Sequence, residues 1–329
     1  MDPGLAELVD RLRLPHLTAV DVRELELADP ELAAVRSART WPEYCFTATP
    51  SICRHSLQSD PKLAEITYLD ADLMFFADPE ILFAEIGGAS CAIVPHRFSS
   101  RWAHCEATHG TFNVAFNSFR RDQPGLAGLD RWRERCLEWC HLRFEPGRYG
   151  DQVYLDEFPR RFAAVHVLEH PGADAAPWNT EAATVDRRDG DVYVGASQLI
   201  FYHFASMQLY RGGTPARFSR IGDRLGWALP ALRAYRCASD GAEPIVWRPF
   251  PGYRLSAAEI ELIWEPYIER LLEAMAELRA VEPGFRGGIF EATTVPLMMD
   301  IARGSVPGSL RRVWAWWRRS GQRTPAAND

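Results

Sequence analysis

Two aspartates, Asp70 and Asp72, stand one residue apart in the stretch "ITYLDADLMFF", directly after an apolar run. A carboxylate in low dielectric is costly unless it is paired or bound to a cation. On an extended strand, residues i and i+2 point to the same side, so this spacing makes half of a hard-cation site. Mg²⁺ or Mn²⁺ is commonly held by one or two carboxylates while substrate phosphates complete its shell. Such a cation would neutralise a diphosphate and stabilise it as a leaving group. A surface turn or an N-cap after a core strand has the same local sequence, so the acidic pair alone does not decide.

The elements around the pair decide more. Residues 4–13 read as a short helix, 16–22 ("HLTAVDV") as a strand, and 42–58 as a helix kinked or divided by Pro50. The strand leading to Asp70 follows, and then "ADPEILFAEIGG", a helix with Asp78 as N-cap, Pro79 at its first position and a glycine pair to stop it. Strands are expected at 90–96, 112–119, 164–168, 191–194 and 199–204. Between them lie an amphipathic helix at 124–144, with Leu126, Leu129, Trp132, Cys136, Leu137 and Cys140 on one face, and a second helix near 150–158. This alternation predicts an α/β fold with a mixed, mostly parallel sheet flanked by helices. Ligands of such sheets bind beyond the carboxyl ends of the strands, where Asp70 and Asp72 stand. After residue 211 the texture becomes loop and helix, with a long helix at 256–281 that Pro266 should kink. The division expected is a domain over 1–210 and a mainly helical extension over 211–329.

Bulk properties narrow the class. The chain has 329 residues, 47% hydrophobic and 25% charged, which is an ordinary globular composition. Its net charge of −7 supplies no basic field to meet a phosphate backbone, so no nucleic-acid partner is expected. The seven cysteines form no CxxC pair and read as free thiols of a reducing cytoplasm. No window approaches the roughly 18 continuous apolar residues of a membrane span.

Taken in order, the motifs resemble a known family. "YLDADLMFFADPEILF" resembles the metal-binding core of nucleotide-sugar glycosyltransferases of the GT-A fold, above all glycosyltransferase family 8 and its relatives. "GTFNVAFNSFRRD" resembles that family's strand at the donor sugar and places Asn113 at its asparagine position, with Ala115 where glycine is usual. "YGDQVYLDEF" resembles its Asp-Gln segment, which implies a catalytic role near the donor sugar for Asp151 and Gln152. "LIFYHF" resembles the late strand carrying a histidine ligand, which implies His203 as third ligand to the metal. "HPGADAAPWN" resembles the segment lining the pocket, with Trp178 and Asn179 as sugar contacts. The family's Gly and Lys-Pro-Trp after the histidine are absent from "HFASMQLYRGG". The resemblance spans roughly 40–210 and implies an NDP-sugar donor (a UDP-sugar first among them), Mn²⁺ or Mg²⁺, a glycan or lipid-linked acceptor, and retention of configuration.

Each residue also has a plainer reading. Asn113 could bond backbone within its strand, Asp151 could N-cap the helix after it, and His203 could be a satisfied core histidine. A neutral histidine beside two carboxylates nevertheless suits a mixed O/N site for Mn²⁺. The family's first strand, which grips the nucleobase, has no counterpart here. "HLTAVDV" resembles the second, so residues upstream of Met1 and an unpaired sheet edge are expected.

The segment 309–323 ("SLRRVWAWWRRSGQR") carries five arginines and no acid. On a helix, Leu310, Val313, Trp314 and Trp317 align, as in an interfacial helix meeting anionic lipid or one docked on the protein body. The first option adds peripheral contact with the inner face of the membrane to a cytoplasmic protein. Two other readings stand beside the transferase: a non-catalytic, degenerate binding protein, and a sugar-nucleotide pyrophosphorylase, whose glycine-rich basic N-terminal loop is not found.

Overall fold

The apolar run before the aspartates forms strand β1 (Glu65–Leu69), and a second strand, β2 (Leu73–Phe75), begins just past them. The computed structural model describes residues 3–211, 236–239, 244–249, 253–285 and 290–291. Three further strands, β3 (Cys91–Pro95), β4 (Phe112–Arg120) and β5 (Val165–Val167), join β1 in a sheet of order β1–β4–β3–β5. The pairings β1–β4 and β4–β3 are antiparallel and β3–β5 is parallel. The sheet is mixed, as expected, but it is not mostly parallel: two of its three pairings are antiparallel. The reason is geometric. β1 and β3 do run the same way, as a helical crossover requires, but β4 inserts between them in the opposite direction.

β4 is buried along its length from Phe112 to Phe119, the burial of a central strand covered on both faces. Its pairing with β3 slips between Ile93 and Val94, a bulge that bends the strand. Two buried asparagines bond the backbone that the bulge leaves over: Asn117 Nδ2 donates to Val114 O at 2.9 Å, and Asn113 Oδ1 accepts from Ala115 N at 3.0 Å.

Helices α1 (Pro3–Arg11), α2 (Val22–Ala28) and α3 (Pro30–Val35) precede the long α4 (Trp41–Ser59). A capping box of Thr40 and Glu43 starts α4, and it runs unbroken through Pro50. The strand expected at 16–22 is not formed. Residues 16–18 are exposed with no sheet beside them, and Asp21 accepts from Arg23 N as the cap of α2. Among the described residues β1 is accordingly the edge of its sheet.

Beyond β2 come α5 (Glu80–Ile86), α6 (Glu106–His109), α7 (Gln123–Glu138) and α8 (Phe158–Arg161). Asp78 Oδ1 accepts from Glu80 N at 2.9 Å, and Gly87 closes α5 at φ 56°. α7 ends six residues before the expected 144. Its Leu129, Trp132 and Cys136 enter the main core with Phe119 and Phe158, whereas Leu126 is exposed. The described cysteines 45, 53, 91, 105, 136 and 140 are free thiols.

The chain divides into two units, Met1–Ala205 with Arg254–Phe285, and Ser206–Tyr253 with Arg286–Asp329. The helix expected at 256–281 therefore belongs to the first unit and not to a C-terminal extension. It comprises α9 (Ala257–Glu259), one π-helical turn (Ile260–Trp264) and α10 (Glu265–Val281), so the irregularity lies just before Pro266. Its Trp264 meets Phe204 edge-on at 5.2 Å, and Tyr267 stacks on Phe204 at 3.7 Å. The first unit also holds a meander of β6 (Val185–Arg188), β7 (Asp191–Val194) and β8 (Ser197–Gln198), followed by β9 (Phe201–His203). The second unit has a sheet of β10 (Gln208–Arg211), β11 (Arg236–Ser239), β12 (Pro244–Arg248) and β13 (Phe290–Glu291). The basic segment 309–323 lies outside the described residues. Among those residues no helix is long and apolar enough to cross a membrane.

Candidate metal centre

Asp70 and Asp72 lie in the turn between β1 and β2, so strand alternation is not what brings them together. Two backbone bonds pin the turn instead: Asp70 N donates to Ala115 O at 3.2 Å, and Phe204 N donates to Asp72 O at 2.9 Å. β2 pairs antiparallel with β9 in the register Leu73–His203, which delivers the imidazole to the turn. His203 Nε2 stands 3.2 Å from Asp72 Oδ1 and 3.8 Å from Asp70 Oδ2. One donor atom from each of the three residues lies within 4.8 Å of the others. The expected ligand set thus converges, although the aspartates and the histidine come from distant stretches of the chain.

Burial grades the three. The His203 side chain is 8% exposed, Asp70 27% and Asp72 42%, so the opening is on the Asp72 side. Burial and the charge of Asp72 push the Asp70 carboxyl up, although His203 opposes them. Asp72 is held below the usual carboxylate range: burial works against its charge, and the His203 hydrogen bond overcomes that. Burial alone would lower His203, but hydrogen bonds to Asp174 and Asp72 raise it to about 10. The imidazolium thus compensates the carboxylates as a cation would.

The back of the ring meets two side chains. Asp174 Oδ1 and Asn113 Nδ2 each lie 3.3 Å from His203 Nδ1. Asp174 reaches this place because the chain from Gly172 to Ala175 runs against β9: Ile200 N donates to Gly172 O at 2.9 Å, and His203 N donates to Ala175 O at 2.8 Å. Gly172 is needed there, since a Cβ would fall 1.9 Å from Gln198 O. Asp174 was not singled out in the sequence. It sits in a loop, and no local spacing marks an aspartate whose partner is a strand away.

The remaining candidates spread around this centre. Asp151 is buried, and burial together with the Asp70 charge raises its carboxyl to about 8. Its backbone O accepts from Trp132 Nε1 at 2.8 Å. A 3₁₀ turn (Val153–Glu157) follows with no side-chain cap, so N-capping does not account for Asp151. Gln152 Nε2 donates to His109 O at 2.5 Å. Trp178 meets His203 edge-on at 5.3 Å while its Nε1 donates to His96 O at 2.8 Å. Asn179 Nδ2 donates to His96 O and Asp174 O, both at 2.9 Å, and its Oδ1 accepts from Ala176 N at 2.9 Å. Asn179 and Trp178 thus brace the loop that carries Asp174. Tyr68, also unmarked in the sequence, donates to Asp70 Oδ1 at 2.9 Å.

The protein is 32% identical to the uncharacterized protein YfnD of Bacillus subtilis (strain 168) over 298 residues, which are 90% of this chain and 85% of YfnD. The chain belongs to the YfnD family. Another relative, the uncharacterized protein YfnF of the same bacterium, is 32% identical over 216 residues, 64% of this chain and 71% of YfnF. No family model matches the chain, and no solved structure matches it.

In this YfnD-family protein the donor set fits a divalent cation. Two carboxylates and one imidazole form a mixed O/N set that suits Mn²⁺ better than Mg²⁺, which prefers oxygen throughout. The Asp174 carboxylate stands behind the imidazole, where a metal-ligating histidine would have its outer partner.

Proposed function

We propose that this protein is a divalent-metal-dependent glycosyltransferase of the GT-A type, moving a sugar from an NDP-sugar to a glycan or lipid-linked acceptor with retention of configuration. The observation that carries this reading is the convergence of Asp70, Asp72 and His203 at the carboxyl end of β1, with buried Asp151 electrostatically coupled to Asp70. When bound there, Mn²⁺ would supply charge to a departing diphosphate. Asp70, Asp72 and His203 would hold it. Asp151, whose carboxyl is raised by burial and then by the Asp70 charge in the metal-free protein, would stand beside the cation and hydrogen-bond a sugar hydroxyl. Gln152 keeps its side-chain oxygen for the donor while its nitrogen is fixed on His109 O. The amide of Asn113 is committed to Ala115 N and His203, so its part is to support the histidine.

The test is release of nucleoside diphosphate from a panel of NDP-sugars with and without Mn²⁺. Metal-dependent release that disappears in Asp72→Ala supports the transferase, and no release or binding of any donor by the wild-type protein rejects it. The position of β1 at the edge of its sheet among the described residues favours a second reading, a non-catalytic sugar-nucleotide binding protein. That reading requires metal-dependent donor binding without turnover.

A further inference from the structure

Asp174 is fully buried, and its Oδ2 has no hydrogen-bond partner. Its backbone lies in the left-handed region at φ 54°, a conformation uncommon for non-glycine residues. Several groups hold it there. Arg97, itself at φ 49°, donates to Ala173 O at 2.7 Å and to Leu168 O at 2.6 Å. Asn179 Nδ2 donates to Asp174 O at 2.9 Å, and Ala175 bonds β9 through both its N–H and its carbonyl. The loop is therefore braced to keep a buried carboxylate against one atom, Nδ1 of His203, at 3.3 Å. Packing alone does not call for this, since an apolar residue would fill the space without a desolvated, half-satisfied carboxylate.

The two neighbours of Nδ1 make opposite demands. Asn113 accepts from Ala115 N through Oδ1, so it turns its amide hydrogens towards the ring. A donor there is satisfied only by a lone pair on Nδ1, which leaves the ring proton on Nε2, facing Asp72. A carboxylate there is satisfied by a proton on Nδ1, which leaves the Nε2 lone pair for a cation. The outcome depends on which neighbour prevails, and a charged acceptor makes the stronger bond.

We infer that Asp174 is a positioning residue for the metal centre: it keeps the remaining proton of His203 on Nδ1 and so presents the Nε2 lone pair to the side of Asp70 and Asp72. This rests on the metal reading of that site. Outer-shell partners of this kind change metal affinity by about 10–100-fold.

Two measurements on the full chain test it. In the first, ¹⁵N NMR of histidine-labelled wild-type protein loaded with diamagnetic Cd²⁺, with His203 assigned through His203→Gln, should show a protonated Nδ1 and a metal-bound Nε2. A proton retained on Nε2 overturns the inference. In the second, Mn²⁺ titration calorimetry on Asp174→Ala should show affinity weakened by about 10–100-fold, with Asp174→Asn intermediate because its carbonyl can still accept. Asparagine also tolerates the left-handed backbone. Unchanged affinity in folded Asp174→Ala overturns the inference and leaves the metal reading standing. Absence of Mn²⁺ and Cd²⁺ binding by the wild type overturns both. If Asp174→Ala does not fold, the wild-type spectrum decides.

Discussion

Tyr202 donates its hydroxyl to Glu259 at 2.8 Å from the opposite face of the strand that presents His203 to Asp70 and Asp72. Thr180 also donates to Glu259, at 2.6 Å, and Trp264 Nε1 donates to the Tyr202 hydroxyl at 3.3 Å. Glu259 lies at the start of the late helix and is 1% exposed. One buried carboxylate thus ties that helix to β9 and to the segment after Asn179, the two pieces of chain that carry His203 and Asp174.

Glu259→Leu should lower unfolding free energy by about 1–3 kcal/mol, because the buried Tyr202 hydroxyl loses its acceptor, whereas Thr180 can still donate to Ala176 O. Urea unfolding measures it. Glu259→Gln, which keeps an acceptor, should lose less.

Asp70 and Asp72 should behave oppositely in the metal-free protein. Asp70 is raised by burial and by the Asp72 charge, so its ionised form weakens the fold near neutral pH and Asp70→Asn should raise Tm. Asp72 is lowered through its bond to His203, so Asp72→Asn should lower Tm. Its 42% exposure screens the pair and keeps that loss below about 1 kcal/mol. Both variants should bind Mn²⁺ at least about 10-fold more weakly. Differential scanning calorimetry with and without Mn²⁺ separates the two effects.

Metal-free stability should decline with rising pH in two windows. Asp151 rises in the fold from 3.8 to about 8, so it binds a proton more tightly when folded. The stability it adds is complete below about 3.8 and is lost as pH rises towards about 8. His203 rises from 6.5 to about 10, so its contribution is complete below about 6.5 and is lost as pH rises through about 10. Unfolding curves at several pH values should show Asp151→Asn flattening the lower window and His203→Gln the upper one. Identical slopes in wild type and both variants would contradict this.

Gly172→Ala should cost about 1–3 kcal/mol, because a Cβ 1.9 Å from Gln198 O forces the backbones apart. The displaced chain carries Asp174, so Mn²⁺ affinity measured by calorimetry should fall with stability. Glycine at 190, whose Cβ would meet nothing within 4 Å, provides the control: Gly190→Asn should leave Mn²⁺ affinity unchanged.

The elements nearest the site were legible because their signals are local. The apolar run of β1, the capped helix after Asp78 and the buried run of β4 each depend on neighbours within a few residues. Sheet direction was not legible, because nothing inside "FNVAFNSFR" says that it will insert between β1 and β3. "HLTAVDV" has the composition of a strand but joins no sheet among the described residues, and Asp21 caps a helix there instead. The helix at 256–281 was recognisable as a helix, yet its place in the first unit depends on Trp264 and Tyr267 meeting Phe204.

Residue types and order by themselves determined that two carboxylates follow an apolar strand, that a histidine ends a later one, and that helices separate them. Only the tertiary structure decided that these groups meet. The aspartates sit in a turn pinned by Ala115 and Phe204, and the β2–β9 register sets His203 beside them. Asp174 is the clearest case. A loop aspartate at φ 54° has no periodic signature, and its function as a neighbour of Nδ1 exists only once Arg97, Asn179 and β9 hold its backbone in place. Local propensity acts over a few residues, whereas a site built from distant segments is set by packing and backbone pairing.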